Sequence, residues 1–185
     1  MKKLFIPLLL LFFVVFPKSV AFAQESSPSA AASPTAAMVT NYTLPYPGIL
    51  PDNPLYFLKA LRDKIVVFLI SDPLRKSSFY LLQSDKRLES SWYLLKKDVK
   101  HDDLALSTLS KSTNYFSLAI DQAGKAKKSG GSVASQAGNL QEALTKHIAV
   151  IDQMLQLPGL SHKEEFVNEQ TRLKNLENVV SKLSL

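Results

Sequence analysis

Four leucines recur at intervals of seven residues in the middle of this chain, and this spacing constrains the fold more than any other feature. A seven-residue apolar repeat keeps one face of an α-helix turned toward a partner helix. Small serines lie between the leucines and let a neighbouring helix approach closely. The pattern therefore predicts a long helix with a coiled-coil-like seam. The leucines are Leu74, Leu81, Leu88 and Leu95, and the serines are Ser77, Ser84 and Ser91.

Helical apolar spacing continues through the rest of the chain from Asn53 onward. Five helical segments with short connections are typical of a single bundle. We therefore predict an all-α fold, an antiparallel helical bundle of about five helices preceded by an extended Pro-rich strap. The segments run from 54 to about 70, from 73 to about 100, from just after 101 to 128, from about 132 to 157 and from 161 to the C-terminus.

Four of these helices have a recognisable start signal. A side-chain oxygen at the cap accepts from the free amides of the first turn, and proline at the first helical position loses no hydrogen bond. Pro54 and Pro73 occupy such positions. The predicted caps are Asn53, Asp72, Asp102 or Asp103, and Ser161 in a capping box with Glu164.

The end of the first helix is apolar on every side. Residues 65–70 form an unbroken apolar run, which also fits a buried strand. The helical spacing upstream favours a helix. A helix that is apolar all round must be covered by several neighbours or by a partner. The residues that share its main apolar face are Leu55, Leu58, Leu61, Ile65 and Leu69.

The segment before this helix is rich in proline. Pro45, Pro47 and Pro51 hold the backbone extended, and Gly48 supplies a turn position. The segment is predicted to be an extended strap that runs into the first helix. Two interpretations stay open: the strap only starts the helix, or it docks a partner.

The stretch from Tyr46 to Lys59 resembles the opening motif of an uncharacterised family of exported prokaryotic helical domains, domain of unknown function family 5667. The resemblance covers residues 46 to about 100 and implies no established activity. Arg87-Leu88-Glu89 matches an Arg-Leu-acidic element of the family's second helix, whereas Ser90 and Ser91 depart from the small apolar residues expected there. The motif residues are Pro47, Gly48, Pro51, Asp52, Asn53, Pro54, Leu55, Tyr56 and Lys59.

The N-terminus has the three parts of an export signal. Lys2 and Lys3 precede an apolar run over 4–16, and residues 21–23 read Ala-Phe-Ala, a cleavage site. We predict a signal peptide over 1–23, cleaved between Ala23 and Gln24, a disordered Ser/Ala/Pro linker over 24–40 and a helical-bundle domain over 41–185. The mature protein would be secreted, periplasmic or at the cell surface. The alternative is an uncleaved N-terminal membrane anchor.

Charge and cysteine content exclude several classes of protein. The predicted signal holds three lysines and no acid, so the mature chain keeps 19 basic against 16 acidic residues, a charge of +3 instead of +6. A charge this small is no indication of nucleic-acid binding. The chain has no cysteine, which excludes disulfides, thiolate chemistry and attachment through a lipidated cysteine.

Candidate chemical groups are few and scattered. His101, His147 and His162 lack the spacing of a metal site, although His101 with its two following aspartates could offer ligands. Asp85, close to the leucine face, is either an edge carboxylate or a polar contact that selects a partner helix. The lysines at 125, 127 and 128 complement the end of a helix dipole, or bind a phosphate or lipid headgroup.

The sequence thus favours a non-catalytic binding or structural module at the cell envelope. We expect no catalytic residues, no cofactor and no metal. The partner would be an unknown protein or another envelope component, with no nucleic acid, and with membrane contact only transiently through the signal peptide. The alternative function is a small-ligand- or cation-binding helical bundle, and an enzyme comes third.

Overall fold

The computed structural model describes residues 41–99 and 102–184. Within these residues the chain forms five α-helices and no β-strand, which confirms the predicted all-α class. The run over 65–70 is helical as far as Leu69, so the strand alternative is wrong. The helices are α1 (Tyr56–Leu69), α2 (Pro73–Lys97), α3 (Asp102–Lys128), α4 (Ala134–Leu155) and α5 (Lys163–Ser181).

Several predictions concern residues that the structure leaves undescribed. The signal peptide, the linker and His101 lie outside the described residues. Residues 41–55 precede α1 without helix or strand, and the idea that they form an extended strap stays a prediction.

The serines between the heptad leucines join α2 to α3. Ser84 and Ser112 each donate to the other's carbonyl oxygen at 2.8 Å. Each step of seven residues forward along α2 matches seven residues backward along α3, so the helices are antiparallel in one register. The three bonds from α2 are Ser77 to the Ala119 carbonyl at 2.7 Å, Ser84 to Ser112 at 2.8 Å and Ser91 to Ala105 at 2.8 Å.

The α2–α3 pair carries the core. α4 packs against α2 and α5, and α5 also contacts α3. The buried apolar side chains of α2, α3, α4 and α5 form one cluster. Burial of each large apolar side chain contributes roughly 1.5–3 kcal/mol, so this cluster holds the four helices together. Its largest fully buried members are Leu88, Leu109, Phe116, Leu140, Leu144, Ile151, Met154, Phe166 and Leu173.

Two of the predicted helix starts differ from the structure. α1 begins two residues later than expected, at Tyr56, because Asn53 forms a turn instead of a cap: its Oδ1 accepts from the Leu55 amide at 2.8 Å. The capping box at Ser161 is wrong. A carboxylate from another helix replaces it, since Asp102 Oδ2 accepts from the Ser161 and His162 amides at 2.5 and 2.9 Å. Asp72 caps α2 as predicted, accepting from the Arg75 amide at 2.7 Å.

Candidate functional site

α1 is oriented with its apolar side away from the bundle. Its buried residues are Lys59 and Asp63, both of them charged. The opposite side exposes six large apolar side chains, among them Phe68 at 85% and Leu69 at 70% exposure. We call this surface the outward face of α1; it comprises Phe57, Leu58, Leu61, Ile65, Phe68 and Leu69.

A cation stands at each edge of the outward face. Residues two apart on an α-helix point about 200° apart, which places Arg62 and Lys64 on either side of it. Both side chains are exposed, although Arg62 also donates to Asp63 Oδ1 at 2.7 Å. The result is an apolar stripe flanked by positive charge.

The inward Lys59 ties α1 to the segment before it. Its ammonium donates to the carbonyl oxygens of Pro47 and Ile49 at 2.5 and 3.2 Å. Gly48, between these two carbonyls, has a φ of +73°, a conformation that favours glycine. Burial, and secondly the positive charge of Arg87, lower the pKa of Lys59 to about 8. The first and last parts of the family-like motif therefore bind each other.

The remaining motif residues surround this contact. Asp52 pairs with Lys97 of α2 at 2.6 Å, and Pro51 is half-buried. Pro54 and Leu55 are exposed, and neither makes a contact that assigns it a function. The motif thus closes a turn and attaches it to α2.

Arg87 of α2 is buried beneath α1. Its guanidinium lies between the rings of Tyr56 and Tyr115, 5.3 and 5.6 Å from their centroids. Its nearest acid is Asp63, with Arg87 Nη2 and Asp63 Oδ2 3.7 Å apart, longer than a hydrogen bond. Within the described residues, Nε and Nη1 have no hydrogen-bond partner. A buried cation with unpartnered donors is unusual and calls for an explanation.

These residues line a cavity between α1, α2 and α3. It has a volume of about 460 Å³, and its wall includes Tyr56, Lys64, Arg87, Lys111 and Tyr115. Burial raises the pKa of Tyr56, while the positive charge of Arg87 acts in the opposite direction. Tyr56 therefore stays neutral near pH 7 beside Arg87.

A second set of polar side chains forms hydrogen bonds inside the core and links α2 to α4. Asp85 of α2 is buried and pairs with His147 Nε2 of α4 at 2.7 Å, while the Tyr42 hydroxyl donates to its other oxygen at 2.6 Å. Burial, then the charge of Asp85, raises the pKa of Tyr42 above its usual range. Of the two interpretations of Asp85, the polar contact between helices is the one found. With His147 fully buried, the arrangement is a structural link.

Two other sequence candidates, His162 and Lys127, are also held in structural contacts. His162 pairs with Asp102 at 2.7 Å, and Lys127 donates to the carbonyls of Lys182 and Leu183 at 2.9 and 3.2 Å. Among the described residues, no group of three or more His, Asp or Glu side chains could hold a metal ion.

The role of Arg87 beneath α1 does not follow from the motif. A signal for it exists in α1, where Tyr56, Lys59 and Asp63 follow one another at helical spacing and form a polar stripe on an otherwise apolar helix. That stripe could have identified the side that meets a buried charge.

The fold and its first helix define a class of protein: a small all-α bundle that turns an apolar helix face outward. Within the described residues, α1–α5 include no helix long and apolar enough to cross a membrane.

The chain belongs to the family described as Domain of unknown function (DUF5667), whose sequence profile matches residues 48–182. The match reaches from the motif into the end of α5, so the last three helices continue the family domain beyond residue 100, where the resemblance in the sequence ended. No curated protein and no solved structure matches the chain.

Proposed function

We propose that this protein is a non-catalytic binding module of the cell envelope that docks on an anionic lipid surface through the outward face of α1. The observation that carries the proposal is the inverted orientation of α1, with charged Lys59 and Asp63 buried and six large apolar side chains exposed. Single exposed leucines are ordinary, but a contiguous apolar patch of this kind marks an interaction site.

The edges of the outward face favour a lipid surface as its occupant. Helices that lie in a membrane interface combine a face of Phe and Leu with Lys or Arg beside it. Arg62 and Lys64 supply that flanking charge and would meet lipid phosphates. A second copy of this chain is a poorer partner, because a symmetric α1–α1 pair would bring like charges together.

Export is part of the proposal. The predicted signal would bring the chain across a membrane, and the 24–40 linker would let the domain reach that surface. The sequence alone predicts only transient membrane contact through the signal peptide. We propose lasting contact through α1 because the structure exposes the apolar side of this helix.

Vesicle sedimentation tests the proposal. The chain from Gln24 onward should bind vesicles of phosphatidylglycerol and phosphatidylcholine, and more weakly at high salt. The double variant Leu61→Ser/Phe68→Ser should bind at least about tenfold more weakly, since burial of each side chain contributes more than about 1.4 kcal/mol. Arg62→Gln should weaken binding to anionic vesicles only.

The control is Leu82→Ser, which changes an exposed leucine of α2. Equal binding of the wild type and the double variant would sink the proposal. So would capture of the wild type by a protein or by a second copy through α1 with no affinity for vesicles.

A second candidate is the small-ligand-binding bundle, and the cavity around Arg87 favours it. A bundle can carry both a docking helix and a ligand site, so the two candidates are compatible.

A further inference from the structure

We propose that the cavity between α1, α2 and α3 binds the phosphate group of a small organic molecule, with Arg87, Lys64 and Lys111 as the cationic residues. This inference does not depend on membrane docking.

Arg87 is a buried cation with unpaired hydrogen-bond donors. The side chain is 3% exposed, and in the described part of the chain its Nε and Nη1 donate to no acceptor. Leaving buried charged donors unpaired is costly, so such a site is stabilised by an anion that accepts from them. Guanidinium groups suit phosphate oxygens especially well.

The cavity wall carries more positive than negative charge. Lys64 and Lys111 line the same cavity and are exposed at its rim. The one acid beside Arg87 is Asp63: its Oδ1 accepts from Arg62 at 2.7 Å, and its Oδ2 lies 3.7 Å from Arg87 Nη2, too far for a hydrogen bond. Three cations around a shared carboxylate leave an excess of about two positive charges, which matches a phosphate monoester of charge about −2 better than a carboxylate.

The lowered pKa of Lys59 is consistent with this excess. Burial has the largest effect on it, and Arg87, Lys86 and Arg62 add to the lowering, whereas only Asp63 opposes it. The region under α1 is therefore electrostatically positive.

The cavity has room for an organic group as well as a phosphate. A volume of about 460 Å³ exceeds what a bare phosphate needs and falls within the usual range for small-molecule sites. The rings of Tyr56 and Tyr115, together with Ala60 and Leu118, provide apolar wall for an organic part. The phosphate could belong to a lipid headgroup or to a soluble phosphate ester, and the chemistry of recognition is the same.

Calorimetric titration of the full-length chain, without lipid, tests the site. The probes are glycerol 3-phosphate, inorganic phosphate and, at matched ionic strength, acetate. We expect saturable binding of glycerol 3-phosphate, with acetate at least about tenfold weaker. Tighter binding of glycerol 3-phosphate than of inorganic phosphate would show that the organic part of the ligand contributes, and equal binding would show that the phosphate group alone is recognised; both support the site.

Three variants localise the binding. Lys111→Gln, at the exposed rim, should weaken binding about threefold to tenfold, and Lys163→Gln, which changes an exposed lysine of α5, should leave it unchanged. Arg87→Lys should abolish it, with folding checked by circular dichroism. If Arg87→Lys does not fold, the comparison of Lys111→Gln with Lys163→Gln decides.

Absence of saturable binding by both phosphate probes would overturn the proposal, as would equal effects of the two lysine variants or equal binding of acetate. Because this titration contains no vesicles, its failure leaves the membrane proposal intact, and failed sedimentation leaves this site intact.

Discussion

The ammonium of Lys59 lies 2.5 Å from the carbonyl oxygen of Pro47, twelve residues earlier in the chain. This bond joins the two ends of the motif that identifies the family, and it explains why a lysine sits on the inward side of an apolar helix. It also fixes the orientation of α1, since rotating the helix to bury its leucines would withdraw Lys59 from the carbonyls of Pro47 and Ile49.

Replacing this lysine should destabilise the fold. Lys59→Met leaves two carbonyls without their donor and should cost about 1–3 kcal/mol in the free energy of unfolding, measured by urea denaturation at pH 7. Lys125→Met, at an exposed position of α3, should change stability by less than about 0.5 kcal/mol. Equal stability of the two variants would contradict the bond's structural role.

The same lysine gives a dependence on pH. Its pKa is about 8 in the folded chain against 10.5 for the ordinary group, so the unfolded chain binds more protons between these values. Stability should therefore rise with pH across this window in the wild type relative to Lys59→Met. A fall in the stability of the wild type relative to Lys59→Met as pH rises would contradict the lowered pKa of Lys59.

The serine contacts between α2 and α3 predict that a large side chain does not fit between these helices. Ser84→Leu inserts a large side chain where the helices exchange two hydrogen bonds, and it should cost about 1–3 kcal/mol or more. Ser84→Ala should cost only about 0.5–1.5 kcal/mol. The control is Ser107→Leu, on the exposed side of α3. If Ser84→Leu were neutral in thermal unfolding, the close approach would be wrong.

The link from Tyr42 to Asp85 predicts that residues before α1 contribute to stability. Tyr42→Phe removes the hydroxyl that donates to the buried carboxylate at 2.6 Å, and it should cost roughly 1–3 kcal/mol. Tyr93→Phe, at an exposed position of α2, serves as the matched control. A harmless Tyr42→Phe in denaturant melts would show that residues 41–55 are not held by this bond.

Asp102 at the start of α3 pairs with His162 in the α4–α5 connection, and this pair should make the free energy of unfolding depend on pH. Burial alone would raise the pKa of Asp102, but hydrogen bonds from His162 and Ser161 outweigh it and lower that pKa. The hydrogen bond to Asp102 raises the pKa of His162. The aspartate's contribution is lost as pH falls below 3.8, and the histidine's is lost as pH rises above 6.5.

The pair should therefore stabilise the fold most between about pH 4 and 6.5. The measurement is the free energy of unfolding of the wild type and of His162→Gln across pH 3 to 9. The difference between them should be largest inside the window. A difference that grows toward pH 9 would contradict the pairing.

The sequence predicts the helices of this protein well because apolar spacing and start signals are local. Leu81, Leu88 and Leu95 are buried and Asp72 caps α2, as the heptads and the Asp-Pro pair indicate. The prediction fails where a distant residue takes over a local role. Asp102 replaces the Ser161 cap from 59 residues away, and no local pattern contains that contact.

The candidate sites are likewise predicted from the sequence only where they depend on local features. The apolar run of α1 and its polar stripe are both visible in the sequence, but the buried cation that the stripe meets, Arg87 of α2, is brought there only by the fold. The cavity likewise brings together Lys64 and Lys111 from helices that are not adjacent in sequence. Their proximity is a consequence of the fold.

Tryptophan fluorescence with brominated lipids tests the docking of α1 most directly. In a Trp92→Phe background of the chain from Gln24 onward, Phe68→Trp places the sole tryptophan on the outward face, and Val179→Trp places it on an exposed position of α5 as control.

On phosphatidylglycerol vesicles, the Phe68→Trp emission should shift to the blue and be quenched most by bromines near the headgroups, since interfacial helices bury their apolar face roughly 5–10 Å deep. The Val179→Trp emission should stay unchanged. An unshifted and unquenched Phe68→Trp signal from vesicle-bound protein would contradict docking through α1.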